Sequence, residues 1–174
     1  MRHSFKSILA AAAISSTIIL SGCSKGQSPV AQVQQAAGLP TMTATCNGTP
    51  VTFASITASL SSGRFTITGV LPAQNSSLQE VVLYTNLGAT GTVTLNGAST
   101  TAGNTGMYGS GPSTSNLTQY WTDASNTGTM TITTFDATNK VMSGTFSFTA
   151  VQFYPNPAPG TVTVTSGTFS NLKW

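Results

Sequence analysis

Charge is nearly absent from this chain. Its 174 residues include three acidic and six basic side chains and one histidine, His3. Nucleic-acid binding needs clustered Lys and Arg to neutralise several phosphates, and the scattered basic residues here cannot do that. Metal sites need converging His, Cys or carboxylate ligands. With His3 at the extreme N-terminus and only Cys23 and Cys46 as thiols, a zinc site fails on ligand count, and no cofactor is expected. The only carboxylates, Glu80, Asp123 and Asp136, are the sole material for the acid–base pair of a glycan-active enzyme. Asp136 reads instead as the start of a turn, and Glu80 as the opening of a strand. No Gly-x-Ser-x-Gly elbow stands in a strand–turn–helix setting, and no stretch beyond Thr41 keeps an apolar period of 3.6 with helical caps.

The N-terminus carries one informative pattern. Arg2 and Lys6 precede an apolar run, Ile8 to Leu20, which is shorter than the ~20 residues of a permanent membrane helix and suits a secretory signal. Leu20-Ser21-Gly22-Cys23 resembles the bacterial lipobox, which implies diacylglycerol on the Cys23 sulfur, cleavage before Cys23 and acylation of the new amine. The expected organisation is a signal peptide over 1–22, a lipidated tether over 23–40 with at most one helical turn in its Ala/Gln stretch, and a β domain over 41–174. Cleavage also removes Arg2, Lys6 and His3, so the basic balance of the precursor belongs largely to its signal. Cys46 is then a lone thiol, read as a small buried hydrophobe. A reactive thiolate would need a base or positive field, and the only histidine is lost with the signal.

From Thr41 onward the texture is Thr, Val, Phe, Ile and Ser, punctuated by Gly and Asn. Strands are expected over 41–46, 51–54, 56–60, 64–70, 79–84, 92–95, 106–109, 117–122, 129–135, 141–153 and 161–172. Asn47-Gly48 marks a tight hairpin, because both residues tolerate positive φ. Met130 and Ile132, then Phe146, Phe148 and Ala150, alternate with Thr and Ser, the period of a sheet with one dry face. Phe169 falls on the wrong face relative to Val162 and Val164 unless a bulge at Ser166-Gly167 inserts one residue. The fold class is therefore all-β, an antiparallel β-sandwich or flattened β-barrel of about 8–10 strands with mostly meander or hairpin links.

Taken together, the lipobox, Met42-Thr43-Ala44-Thr45-Cys46-Asn47-Gly48, Ser143-Gly144-Thr145-Phe146-Ser147-Phe148 and Val164-Thr165-Ser166-Gly167-Thr168-Phe169 resemble an uncharacterised all-β lipoprotein family of Bacteroidota, a domain of unknown function. The resemblance implies a compact β domain and no catalytic residues. After Cys23 comes Ser24-Lys25-Gly26-Gln27-Ser28, without the acidic cluster that resembles a surface-export signal, which favours an outer-membrane anchor facing the periplasm.

Binding surfaces remain as candidates. Tyr108, Tyr120 and Trp121, in a Gly/Ser/Asn-rich region, are the candidate ligand contacts, presenting aromatic faces to a glycan or a protein. Since neighbours in a strand face opposite ways, one of Tyr120 and Trp121 should lie outside, and the reading that aromatic packing favours is that Trp121 anchors the core and Tyr120 lies at its rim. The sequence thus points to a non-enzymatic envelope lipoprotein, bound to the bilayer through acylated Cys23. A structural or adhesin-like subunit and a glycan-active enzyme stand as alternatives.

Overall fold

The computed structural model describes residues 38–74, 77–101, 103–154 and 160–174. The expected signal, Cys23 and the Ala/Gln turn lie outside these residues. The described region holds eleven strands and no helix: β1 (Thr41–Cys46), β2 (Thr49–Thr52), β3 (Ser55–Ser61), β4 (Arg64–Gln74), β5 (Ser77–Thr85), β6 (Gly91–Leu95), β7 (Thr105–Ser113), β8 (Asn116–Trp121), β9 (Gly128–Asp136), β10 (Val141–Tyr154) and β11 (Thr161–Lys173). Every segment read as a strand from the sequence overlaps one, but the strand expected over 51–54 is displaced to Thr49–Thr52, since Phe53 and Ala54 leave the ladder. The total exceeds the eight to ten expected.

All pairings are antiparallel, in the order β2-β1-β11-β10-β8-β7-β5-β4-β3, with β9 also on β10 and β6 on β9. The long strand β10 makes two layers out of one sheet. Along one edge its first part, Val141 to Phe148, pairs with β9, and its last part, from Val151, pairs with β8. Its other edge is lined by β11. The layer β2-β1-β11-β10-β9-β6 then packs against the layer of β3, β4, β5, β7 and β8. Phe65 of β4 meets Phe135 of β9 edge-on at 5.8 Å and Trp174 at 4.9 Å.

Of the two expected architectures, the barrel is not formed, because β2 and β3 end the strand order without pairing to each other. The chain crosses between layers at Phe53-Ala54. Phe53 N donates to Met42 O of one layer, and Ala54 N donates to Val70 O of the other, each at 3.0 Å. Two successive amides bonded to different layers turn the strand a corner before a closing ladder can form.

Local chemistry explains the turns. Asn47 and Gly48 have φ of 48° and 80°, and Ser62 and Gly63 have 51° and 76°. Paired positive φ values give the two-residue turn whose twist matches that of the flanking strands. The core is what the alternation predicts: Met130, Ile132, Phe146, Phe148, Val162, Val164 and Phe169 are all buried in one cluster. The bulge also forms, with a shift of roles. Phe148 pairs with Val164 and Phe146 with Gly167, so Thr165 and Ser166 together oppose Ser147. The positive φ belongs to Ser166, at 51°. Gly167 is required for a different reason, since the Phe146 ring occupies the space of a side chain there.

Candidate functional site

In β5 the period of two sends Gln79, Val81 and Leu83 inward and Glu80, Val82 and Tyr84 outward. The partners across the strands follow. Val82 pairs with Met107, Met107 with Trp121, and Trp121 with Val151, so one row crosses β5, β7, β8 and β10 on the outer face of the second layer. Val82, Met107 and Trp121 form a small apolar cluster of their own, with Tyr84 packed against it, separate from the main core.

An aromatic row lies on this face. The planes of Tyr84 and Trp121 are within 5° of parallel, with centroids 6.2 Å apart. Phe153 meets Trp121 at 6.1 Å and 61°, and it is 53% exposed, unusual for a large apolar side chain. At the other end the Arg64 guanidinium stands over the Tyr84 ring, 5.1 Å from its centroid. Nε and Nη2 of Arg64 are buried without an acceptor. Trp121 Nε1 donates to Gln119 Oε1 at 3.2 Å, which fixes the indole. Burial raises the Glu80 carboxyl above its ordinary pKa. Burial first, and then the Glu80 charge, raise the Tyr84 phenol, against the opposing pull of Arg64.

The three residues singled out from the sequence do not converge. Tyr108 and Tyr120 are cross-strand partners on the inner face, with rings 6.1 Å apart and packed on the main core. Tyr108 Oη donates to Gln79 Oε1 at 3.3 Å. Trp121, one residue on, faces outward into the second cluster. Its ring partners Tyr84 and Phe153, and the Arg64 that covers Tyr84, come from three other strands, which no local sequence pattern links. Valines and aromatics occur on both faces here, so no polar–apolar alternation marked the outer side.

The remaining reactive groups are held in structural roles. Asp123 Oδ1 accepts from Ser125 N at 2.8 Å and Asn126 N at 2.6 Å. Asp136 Oδ1 accepts from Thr138 N and Asn139 N, each at 2.9 Å. Such bonds favour the charged carboxylate, and both acids lie below their ordinary range, mainly through the amides of Asn126 and Asn139 respectively. Cys46 is a buried free thiol, and desolvation pushes it up to about 11. Among the described residues, no group of three or more His, Cys, Asp or Glu is placed to hold a metal ion.

A concavity lies in the seam left by the unclosed sheet. It is about 370 Å³ and is lined by Gly38, Leu39, Pro40, Ile56, Ala58 and the end of β11.

No curated protein and no solved structure matches the chain. The profile of a domain of unknown function, DUF6252, matches residues 39–173, which spans the β domain from its first described residues to the end of β11. The chain belongs to the DUF6252 family.

Proposed function

We propose that this chain is a lipid-anchored envelope protein whose β domain binds a glycan without turning it over. The anchor rests on Leu20-Ser21-Gly22-Cys23 and the basic-then-apolar run before it, together with the likeness to lipoproteins of Bacteroidota. The absence of an acidic cluster after Cys23 supports an outer-membrane position facing the periplasm.

The binding role rests on one observation: the row Tyr84–Trp121–Phe153 ends at a guanidinium with two unpaired donors. Trp121 is buried and Tyr84 half-buried beneath Arg64, so the exposed Phe153 is the ring that would take the C–H face of a sugar, with the other two backing it. An unpaired buried donor costs free energy that an acceptor from a ligand would recover. A sugar bearing a carboxylate would suit the planar fork of Arg64, whose buried Nε and Nη2 come within its reach once the guanidinium swings off the Tyr84 ring. The reading as a binder draws on the carboxylates as well, since Asp123 and Asp136 are occupied by turn amides.

Titration calorimetry with uronate-containing and neutral oligosaccharides tests this. Acidic sugars should bind the parent chain, and Phe153→Ala and Arg64→Gln should each weaken binding at least tenfold. Absence of binding to either class, or unchanged affinity in both variants, overturns the reading. A structural or adhesin-like role has one observation of its own. The edge strand β3, Ser55–Ser61, carries no Lys or Pro to block pairing with another chain.

A further inference from the structure

The edge strand β3 has free hydrogen-bonding groups at regular intervals. It ends the strand order and pairs only with β4, its seven residues in one register from Ser55↔Val70 to Ser61↔Arg64. Ser61 and Arg64 close the two-residue turn at Ser62-Gly63, so their backbone groups face each other. Bonding residues then alternate along an antiparallel pair. Ser55, Thr57, Ser59 and Ser61 therefore direct their N–H and C=O groups at β4. Val70 O, which accepts from Ala54 N at 3.0 Å, has the orientation this parity requires. The N–H and C=O groups of Ile56, Ala58 and Leu60 point the other way, and among the described residues no backbone bond reaches them.

By residue type the strand reads the same in both directions. About Ala58, Thr57 mirrors Ser59, Ile56 mirrors Leu60 and Ser55 mirrors Ser61. An antiparallel copy of β3 centred on Ala58 therefore meets like with like. It also sets the outward-bonding residues opposite one another, Ala58 facing Ala58 and Ile56 facing Leu60 in both directions. Each facing pair can then exchange both of its bonds, so every free group of the edge is satisfied. A slip of one residue would set bonding groups against non-bonding ones, and a slip of two would leave the outermost groups unmatched.

Side-chain packing selects the same register independently. Ile56, Ala58 and Leu60 lie opposite Gly69, Ile67 and Phe65, on the inner face of their layer. Ile56 and Ala58 line the concavity of about 370 Å³ in the seam, with Leu39, Pro40 and the end of β11 around it. Leu60 lies outside that lining and is 44% exposed, and Leu39 is 87% exposed. Facing residues of an antiparallel pair share a face, so in the self-paired sheet Leu60 of one copy stands beside Ile56 of the other, at this apolar recess. A two-fold interface is self-complementary, and each copy here offers one projecting leucine and one recess. Charge permits the contact. β3 carries none, and Arg64, opposite Ser61, sits at one end, so the two Arg64 side chains fall at opposite ends of the paired strands. The usual guards of an edge are missing, since β3 has no Pro, no Lys and no register shift, whereas β2, at the other end of the order, holds Pro50. We propose that β3 joins a second copy of this chain edge to edge about Ala58, making one continuous sheet from the second layers of both copies. The contact is short, at the weak end of specific association, so the dimer should dissociate on dilution.

Sedimentation velocity of the purified full-length chain over a concentration series tests this, with circular dichroism and melting checked for each variant. The parent should pass from monomer to dimer and stop there, because pairing uses up the edge. Ala58→Pro removes the central outward N–H without touching a β3–β4 bond, and it should raise the dissociation constant at least tenfold. If Ala58→Pro does not fold, Leu60→Lys puts a charge on the projecting side chain at an exposed position and should have the same effect. Phe153→Ala, on the outer face, should match the parent. Register is read in a Cys23→Ser background. A mixture of Ser55→Cys and Ser61→Cys chains should form an interchain disulfide on mild oxidation, since these residues face each other at about 4.5 Å. Either variant alone sets its thiols about 20 Å apart and should stay uncrosslinked. A parent that is monomeric up to about 1 mM, whatever strand of another protein its edge accepts, would overturn the proposal. So would association that continues past the dimer, a dimer unchanged in both Ala58→Pro and Leu60→Lys, or equal cross-linking in the mixed and single-variant samples.

Discussion

The ring of Phe146 lies against its cross-strand partner Gly167, so close that a Cβ on Gly167 would fall 2.5 Å from the ring. Glycine at this point serves packing, and the neighbouring Ser166 carries the positive φ of the bulge. Gly167→Ala should therefore destabilise the domain by about 1–3 kcal/mol, the usual cost of overfilling a packed core. Ser166→Gly should be neutral or stabilising by up to about 1 kcal/mol, since a left-handed conformation is costly for a residue with a Cβ. Urea denaturation of the two variants checks the opposite signs.

Phe146 and Phe148 share the dry face of β10 and stack at 6.4 Å. Truncating either to Ala should cost about 3–5 kcal/mol through lost burial and a residual cavity, a large part of the 5–15 kcal/mol typical of a domain. Thr145, between them and Gly144, is exposed, so Thr145→Ala should cost well under 1 kcal/mol. Equal losses at Phe146 and Thr145 would contradict the assigned faces.

Where the sequence alternates cleanly, as in Thr129 to Thr133 and Thr145 to Thr149, both strand and face were legible, because one side must be dry and the other wet. The Asn47-Gly48 turn was legible from backbone chemistry alone. What escaped was long-range. That β10 divides its edge between β9 and β8 depends on where each partner ends, and no local pattern encodes that. A second irregularity escaped as well: Met142 pairs with Leu172 and Gly144 with Phe169, around Asn171 at φ 54°. Nothing apolar is displaced onto the wrong face there, so no break in alternation announced it. The aromatic row was half visible. Trp121 stands out in the sequence, but Tyr84 and Phe153 reach it only through three cross-strand registers.

Cys46 should be inert in the native state. Burial moves its pKa to about 11, and thiolate is the reactive form. In a Cys23→Ser background, thiol labelling at pH 8 should follow unfolding rather than reagent concentration. The linkage sign is set by a folded pKa above the ordinary 9.0. The native state retains its proton where the unfolded chain has lost it, so stability should fall as pH rises from about 9 towards about 11. Cys46→Ala, which titrates nothing there, should remove that slope.

The acid side has the reverse sign. Asp123 and Asp136 are held below their ordinary range by turn amides, led by those of Asn126 and Asn139. Their contribution is present above the unfolded carboxylate pKa and disappears as pH falls through the lower, folded values. Asp123→Asn and Asp136→Asn should lower the melting temperature at pH 7, and the difference from the parent should shrink steadily below pH 4. Both side chains are open to solvent, so each effect should be small and weaken further in salt. A difference that stayed constant down to pH 2 would mean that the turns depend on side-chain shape rather than on charge.

Lipid attachment can be tested independently of any ligand. Acyl chains on Cys23 give membrane affinity of about 0.8 kcal/mol per buried methylene, and stable anchoring takes two such signals or more. The parent chain expressed in a bacterial host with the lipoprotein pathway should fractionate with membranes. Its mass should reflect loss of residues 1–22 and gain of acyl groups. Cys23→Ala should be either uncleaved or soluble, without the acyl mass, while the β domain, which begins eighteen residues later at Thr41, should keep its melting temperature. Unchanged fractionation and unchanged processing in Cys23→Ala would remove the anchor from the proposed function and leave the aromatic row to be judged on binding alone.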